Sequence, residues 1–146
     1  MKPDPLSDIP KSALIWGVLG LVPVITLSVV IVHQSPKVHV EALAALLAYG
    51  AIILSFLGGV RWGIAISGFS QVPFTVQLCI SVVPSLVGWV AILIERPAGL
   101  VVLTVAFSLL LLMDNMISGA PVWYSRLRLL LSLPVITCLL TVLFVQ

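Results

Sequence analysis

Four ionisable side chains stand in apolar surroundings that give them little reason to be there. Arg61 follows Phe56-Leu57-Gly58-Gly59-Val60, precedes Trp62 and Gly63, and is followed by mostly apolar residues as far as Phe69. Asp114 lies near the end of an apolar run from Ala98, and Arg126 and Arg128 follow shortly after Trp123 and Tyr124. A charge at the centre of a bilayer costs about 2.5–3.5 kcal/mol on the insertion scale, so each of these groups needs a partner or a task. The first reading is an Arg61–Asp114 ion pair in which each charge makes the other's burial tolerable. The second adds Arg126 and Arg128. Three arginines and one aspartate, beside Trp62, Trp123 and Tyr124, form a positively biased pocket suited to a phosphate or carboxylate headgroup of a membrane lipid. Taken alone, Trp123 and Tyr124 read as interfacial belt residues.

Other chemistry is poorly supported. His33, His39 and Glu41 fall within nine residues, but no second cluster completes a coordination shell, so no metal site is expected. Cys79 and Cys138 each sit inside an apolar span with no partner at motif spacing and read as small buried hydrophobes. No nucleophile elbow, phosphate loop or paired catalytic carboxylates occur, so the chain reads as a non-enzyme without cofactor. A net charge of +2 with no basic stripe argues against nucleic acid.

The elements that position these residues follow from hydropathy. Of 146 residues, 61% are hydrophobic and 8% charged, whereas a soluble domain carries about 25% charged residues to cover its surface. Ser12 to Val32 alone contains thirteen Leu, Ile or Val residues and no charge, enough for roughly 4–8 kcal/mol of favourable insertion. About 20 helical residues cross the hydrocarbon, and Pro10, Pro36, Pro73, Pro97 and Pro121 mark off the apolar runs. The resulting spans lie near 11–33, 41–67, 74–94, 98–117 and 126–145. They lack the alternation of barrel strands, so the expected fold is an all-α, five-helix membrane bundle forming one domain.

With five spans, Lys2, Lys11, Arg61, Arg126 and Arg128 share one side and Lys37 and Arg96 the other. The positive-inside rule then places the N-terminus inside and the C-terminus outside. The acidic Asp4 and Asp8 are unlike a mitochondrial transit peptide, which points to a bacterial cytoplasmic membrane. Pro23, Pro84 and Pro134 lie within spans one, three and five and should bend them. They free the carbonyls of Leu19, Ile80 and Leu130, for which Thr26, Ser81 and Ser132 are nearby hydroxyls. In span two, Ala44, Ala48, Ala51, Ser55, Gly59 and Gly63 recur every three or four residues. This puts small residues on one face, for close packing of a central helix or for a homodimer.

Tyr49-Gly50-Ala51, Ile53 through Gly63 with its Gly-Gly-Val-Arg-Trp-Gly core, Val83-Pro84, Gly88-Trp89 and Trp123-Tyr124 before Arg126-Leu127-Arg128 together resemble a known family. It comprises small bacterial membrane proteins of unknown function and includes eukaryotic transmembrane protein 69. The resemblance covers nearly the whole chain. It implies a polytopic membrane protein, mitochondrial in eukaryotes, and supplies no assigned reaction or site. The expected role is a non-enzymatic accessory or scaffold that packs against other membrane subunits. The alternative is a small carrier or lipid-binding protein that uses the arginines.

Overall fold

The computed structural model describes residues 8–33, 36–68, 73–115 and 121–145. Five helices follow one another: α1 (Lys11–His33), α2 (Pro36–Ile66), α3 (Phe74–Leu93), α4 (Arg96–Asn115) and α5 (Val122–Val145). Each is long and apolar enough to cross a membrane. At 1.5 Å per residue, the 20 residues of α3 or α4 reach about 30 Å, one hydrocarbon thickness. The 31 residues of α2 reach well beyond it.

Helix starts differ from the sequence reading at three places. α2 begins at Pro36 rather than near 41, α4 at Arg96 rather than 98, and α5 at Val122 rather than 126. Pro36 and Pro97 fall in the first helical turn, where an amide N–H has no intrahelical acceptor and its loss costs nothing. A proline there opens the following helix instead of separating two. The expected end of span four, beyond residue 115, lies outside the described residues. Just past the end of α2, Gly68 has a φ of +72°, the left-handed conformation that glycine adopts freely at a helix C-terminus.

α1, α2, α4 and α5 form a four-helix ring in which neighbours touch in the order α1–α2–α4–α5–α1, and α3 packs outside it against α2 and α4. Phe107, Leu46, Leu54, Leu100, Leu103, Leu139, Val24 and Val142 fill the interior. The outer surface carries large apolar side chains, Trp16, Phe56, Leu86, Trp89 and Leu109 among them. That inversion of a soluble surface is what lipid permits.

α2 is central, contacting α1, α3 and α4, but only part of the stripe expected from the sequence takes part. Ala51 is buried and Ser55 half-buried, its hydroxyl donating to the Ala51 carbonyl at 2.9 Å. Ala44, Ala48, Gly59 and Gly63 face outwards, and a Cβ on either glycine would meet nothing within 4 Å. The close approach instead uses Gly58, whose hydrogen side abuts the Ser81 carbonyl of α3, and Gly88 of α3, which lies against Ala51. Gly58 and Gly59 sit one residue, about 100°, apart on the helix, enough to turn one inward and the other out.

α1, α3 and α5 continue as helices through Pro23, Pro84 and Pro134. The neighbouring hydroxyls do not serve the freed carbonyls, contrary to expectation. Thr26 donates to Val22 at 2.8 Å and Ser81 to Leu78 at 2.7 Å, while Ser132 Oγ has no partner among the described residues. A helical hydroxyl reaches carbonyls three or four positions behind it, and Leu19, Ile80 and Leu130 are at other offsets.

Within the bundle, outside the charged cluster, Tyr49 of α2 ties α1 to α2 by donating its hydroxyl to the Gly20 carbonyl at 2.9 Å. Tyr49→Phe removes it without opening space and should cost about 1 kcal/mol, measured by reversible unfolding in mixed micelles. A loss below about 0.3 kcal/mol contradicts that bond.

Candidate functional site

The site lies at the bundle end shared by the C-termini of α2 and α4 and the N-terminus of α5. Asp114, near the end of α4, is 1% exposed and accepts two charged hydrogen bonds. Arg61 Nη1 of α2 donates to Oδ1 at 2.9 Å, and Arg128 Nε of α5 donates to Oδ2 at 2.6 Å. Both carboxylate oxygens are therefore engaged, each by a guanidinium from a different helix. Charge-assisted bonds of this length are roughly twice as strong as neutral ones, and here one carboxylate fastens three spans.

The expected Arg61–Asp114 pair is present, and Arg128 extends it to a triad. Two guanidiniums against one carboxylate leave one formal positive charge. Arg61 keeps partial access at 13% side-chain exposure, while Arg128 is at 6%. Arg128 lies six residues into α5, about 9 Å from its start. One of its two terminal nitrogens, Nη2, is buried and has no hydrogen-bond partner among the described residues.

Arg126 does not join the cluster. Its Nη1 lies 3.3 Å from Asp8 Oδ2, in an exposed pair with side chains 42% and 61% accessible. Residues two apart on a helix point roughly 200° from one another, so Arg126 and Arg128 cannot serve one pocket from the same span. The three-arginine arrangement is thereby corrected to two arginines inside and one at the surface. An exposed pair of this kind contributes about 0–1 kcal/mol.

Trp62, next to Arg61, is 41% exposed. Trp123 and Tyr124 are half-buried, with ring centroids 6.3 Å apart and planes at 81°, an edge-to-face arrangement. Tyr124 lies within electrostatic reach of Asp114, Arg128 and Arg61.

Beside the triad, α1, α2, α4 and α5 line a half-open cavity of about 270 Å³ that includes Arg128 and Ser132 in its wall. Its other lining residues are apolar, from Trp16, Gly17, Gly20 and Leu21 of α1 to Phe107 of α4. A second, larger groove of about 540 Å³ between α2, α3 and α4 is lined from Leu54 to Met113 by apolar side chains alone. Ser132 was not singled out for this cavity by sequence. The available signal was its position four residues after Arg128, one turn along the same face.

At the opposite end, His33 Nδ1 lies 3.0 Å from the Val29 carbonyl and His39 Nδ1 lies 3.1 Å from the Ile31 carbonyl. Both contacts fasten a helix terminus. Among the described residues no three His, Cys, Asp or Glu side chains gather as metal ligands. Cys79 is exposed on α3, towards lipid, rather than buried as expected, and Cys138 is half-buried.

Residues 9–144 match the model of a family described as a protein of unknown function, DUF3429. The chain is 38% identical over 135 residues to transmembrane protein 69 of Xenopus tropicalis, covering 87% of this chain and 51% of that protein. It is 32% identical over 132 residues to transmembrane protein 69 of Mus musculus, covering 88% and 54% respectively. The chain thus spans about half the length of these relatives. No solved structure matches it. Together with five apolar spans, the match across almost the entire bundle makes this chain a multi-pass membrane protein of the DUF3429 family, related to transmembrane protein 69.

Proposed function

We propose that this protein is a non-enzymatic accessory or scaffold subunit of a bacterial cytoplasmic membrane, with its N-terminus inside and its C-terminus outside. The observation that carries the reading is the outward face of α2. Ala44, Ala48, Gly59 and Gly63 fall within about 100° of the helix and are exposed on the bundle. In lipid, where apolar burial drives little association, small residues favour helix pairing by letting backbones approach. The triad supports the non-enzymatic part, because both oxygens of the buried Asp114 are committed to arginines and neither is available as a base.

Gentle solubilisation tests the proposal. Wild type should retain a protein partner or a second copy. Gly59→Leu with Gly63→Leu should lose it while keeping the thermal stability of the isolated bundle, since both positions are exposed and a Cβ at either meets nothing within 4 Å. A wild-type monomer without protein partner overturns the scaffold reading. Reporter fusions should place the N-terminus in the cytoplasm and the C-terminus outside, and the reverse result overturns the topology.

A second reading, an anionic headgroup site, is favoured by Arg128 Nη2, a buried cationic donor without a partner among the described residues. Copurification of an anionic lipid or fatty acid supports it.

A further inference from the structure

We propose that the cavity between α1, α2, α4 and α5 binds a single-chain amphiphile with a carboxylate head, entering sideways from the lipid. The proposal rests on the anionic-site reading and specifies its ligand. Two polar donors belong to this otherwise apolar wall, Arg128 and Ser132, and each has a buried atom, Nη2 and Oγ, with no hydrogen-bond partner among the described residues. They are four residues apart and so neighbours on one face of α5. An unpaired buried donor carries an unmet desolvation cost, and two neighbouring ones match the two oxygens of one carboxylate.

Charge narrows the head to a monoanion, and volume narrows the tail to at most one chain. The triad has one positive charge in excess, which a carboxylate neutralises, whereas a phosphomonoester at about −1.5 to −2 would leave the site negative. The cavity's roughly 270 Å³ is well above the ~150 Å³ apolar hole that holds benzene, and its wall suits an alkyl chain better than water. Trp16 and Phe56, both on its wall, are 74% and 65% exposed on the lipid-facing surface, which marks the lateral mouth. Nη2 and Oγ are screened from solvent, so the head reaches them when wall side chains shift rotamer.

Gly20 supplies the test. It lines the cavity, and a Cβ there would meet only the Tyr49 hydroxyl, at 4.0 Å, so a larger side chain starts from open space at the cavity wall. The full chain in phosphatidylcholine nanodiscs is titrated with labelled palmitate, hexadecanol and inorganic phosphate. Saturable palmitate binding is expected, weakened at least tenfold by Gly20→Leu with Tm unchanged or raised, and about fivefold by Ser132→Ala; hexadecanol should bind at least tenfold more weakly. Palmitate binding that ignores Gly20→Leu, or hexadecanol binding equally well, overturns the proposal. Phosphate binding without palmitate binding overturns the amphiphile while sparing the anionic site. Binding of neither ion overturns both.

Discussion

Asp114→Asn should remove most of the folded protein from the membrane. The amide is nearly isosteric with the carboxylate, so little packing changes, but the charge that compensates Arg61 and Arg128 disappears. Arg128 is 6% exposed and cannot turn its guanidinium to water without unpacking α5 from α4. Removing one partner of a buried ion pair typically costs about 3–5 kcal/mol, because the remaining charge stays desolvated. Membrane-fraction abundance and unfolding in a bilayer report the loss. Wild-type stability in Asp114→Asn would mean that the triad does not hold the helices together.

The same geometry ranks the arginines. Arg61→Gln should be milder than Arg128→Gln, since Arg61 retains 13% exposure and its removal leaves Asp114 with one guanidinium. It also changes what a charge exchange can show. Arg61→Asp with Asp114→Arg would rescue a two-member pair, but here the new arginine would face Arg128, and no recovery is expected. Rescue by that double variant would place Arg128 outside the cluster.

Adjacent glycines should respond in opposite ways. A Cβ on Gly58 runs into the backbone carbonyl of Ser81, which has no flexible end to move aside, so α3 must shift outward. Overpacking of this kind costs about 1–3 kcal/mol. Gly59→Ala enters open space and gains helix propensity, for a change between zero and about 1 kcal/mol of added stability. Reversible unfolding of both variants in one detergent checks the difference. Equal effects would mean that α2 and α3 do not meet at Gly58.

These outcomes mark where one-dimensional reading stopped. Arg61 and Asp114 could be paired from sequence because depth in a bilayer is a linear quantity: residues counted from a span's start translate into ångströms at a constant rise. Arg126 and Arg128 shared a depth by the same count, yet one meets Asp8 at the surface and the other Asp114 inside. Which helical sector faces the bundle depends on where four other helices stand. Gly59 and Gly63 belonged to the more regular stripe, but Gly58 makes the contact.

What the amino-acid sequence determined by itself is the number of spans, their order and the end of the bundle that gathers the internal charges. Those follow from the cost of moving apolar and charged groups between water and hydrocarbon, a property of composition along the chain. Tertiary structure alone decided the second arginine on Asp114, the inward glycine and the cavity beside Ser132. Each depends on the rotation of a helix about its own axis, which in lipid is set by side-chain packing between neighbouring helices rather than by the apolar content of the span.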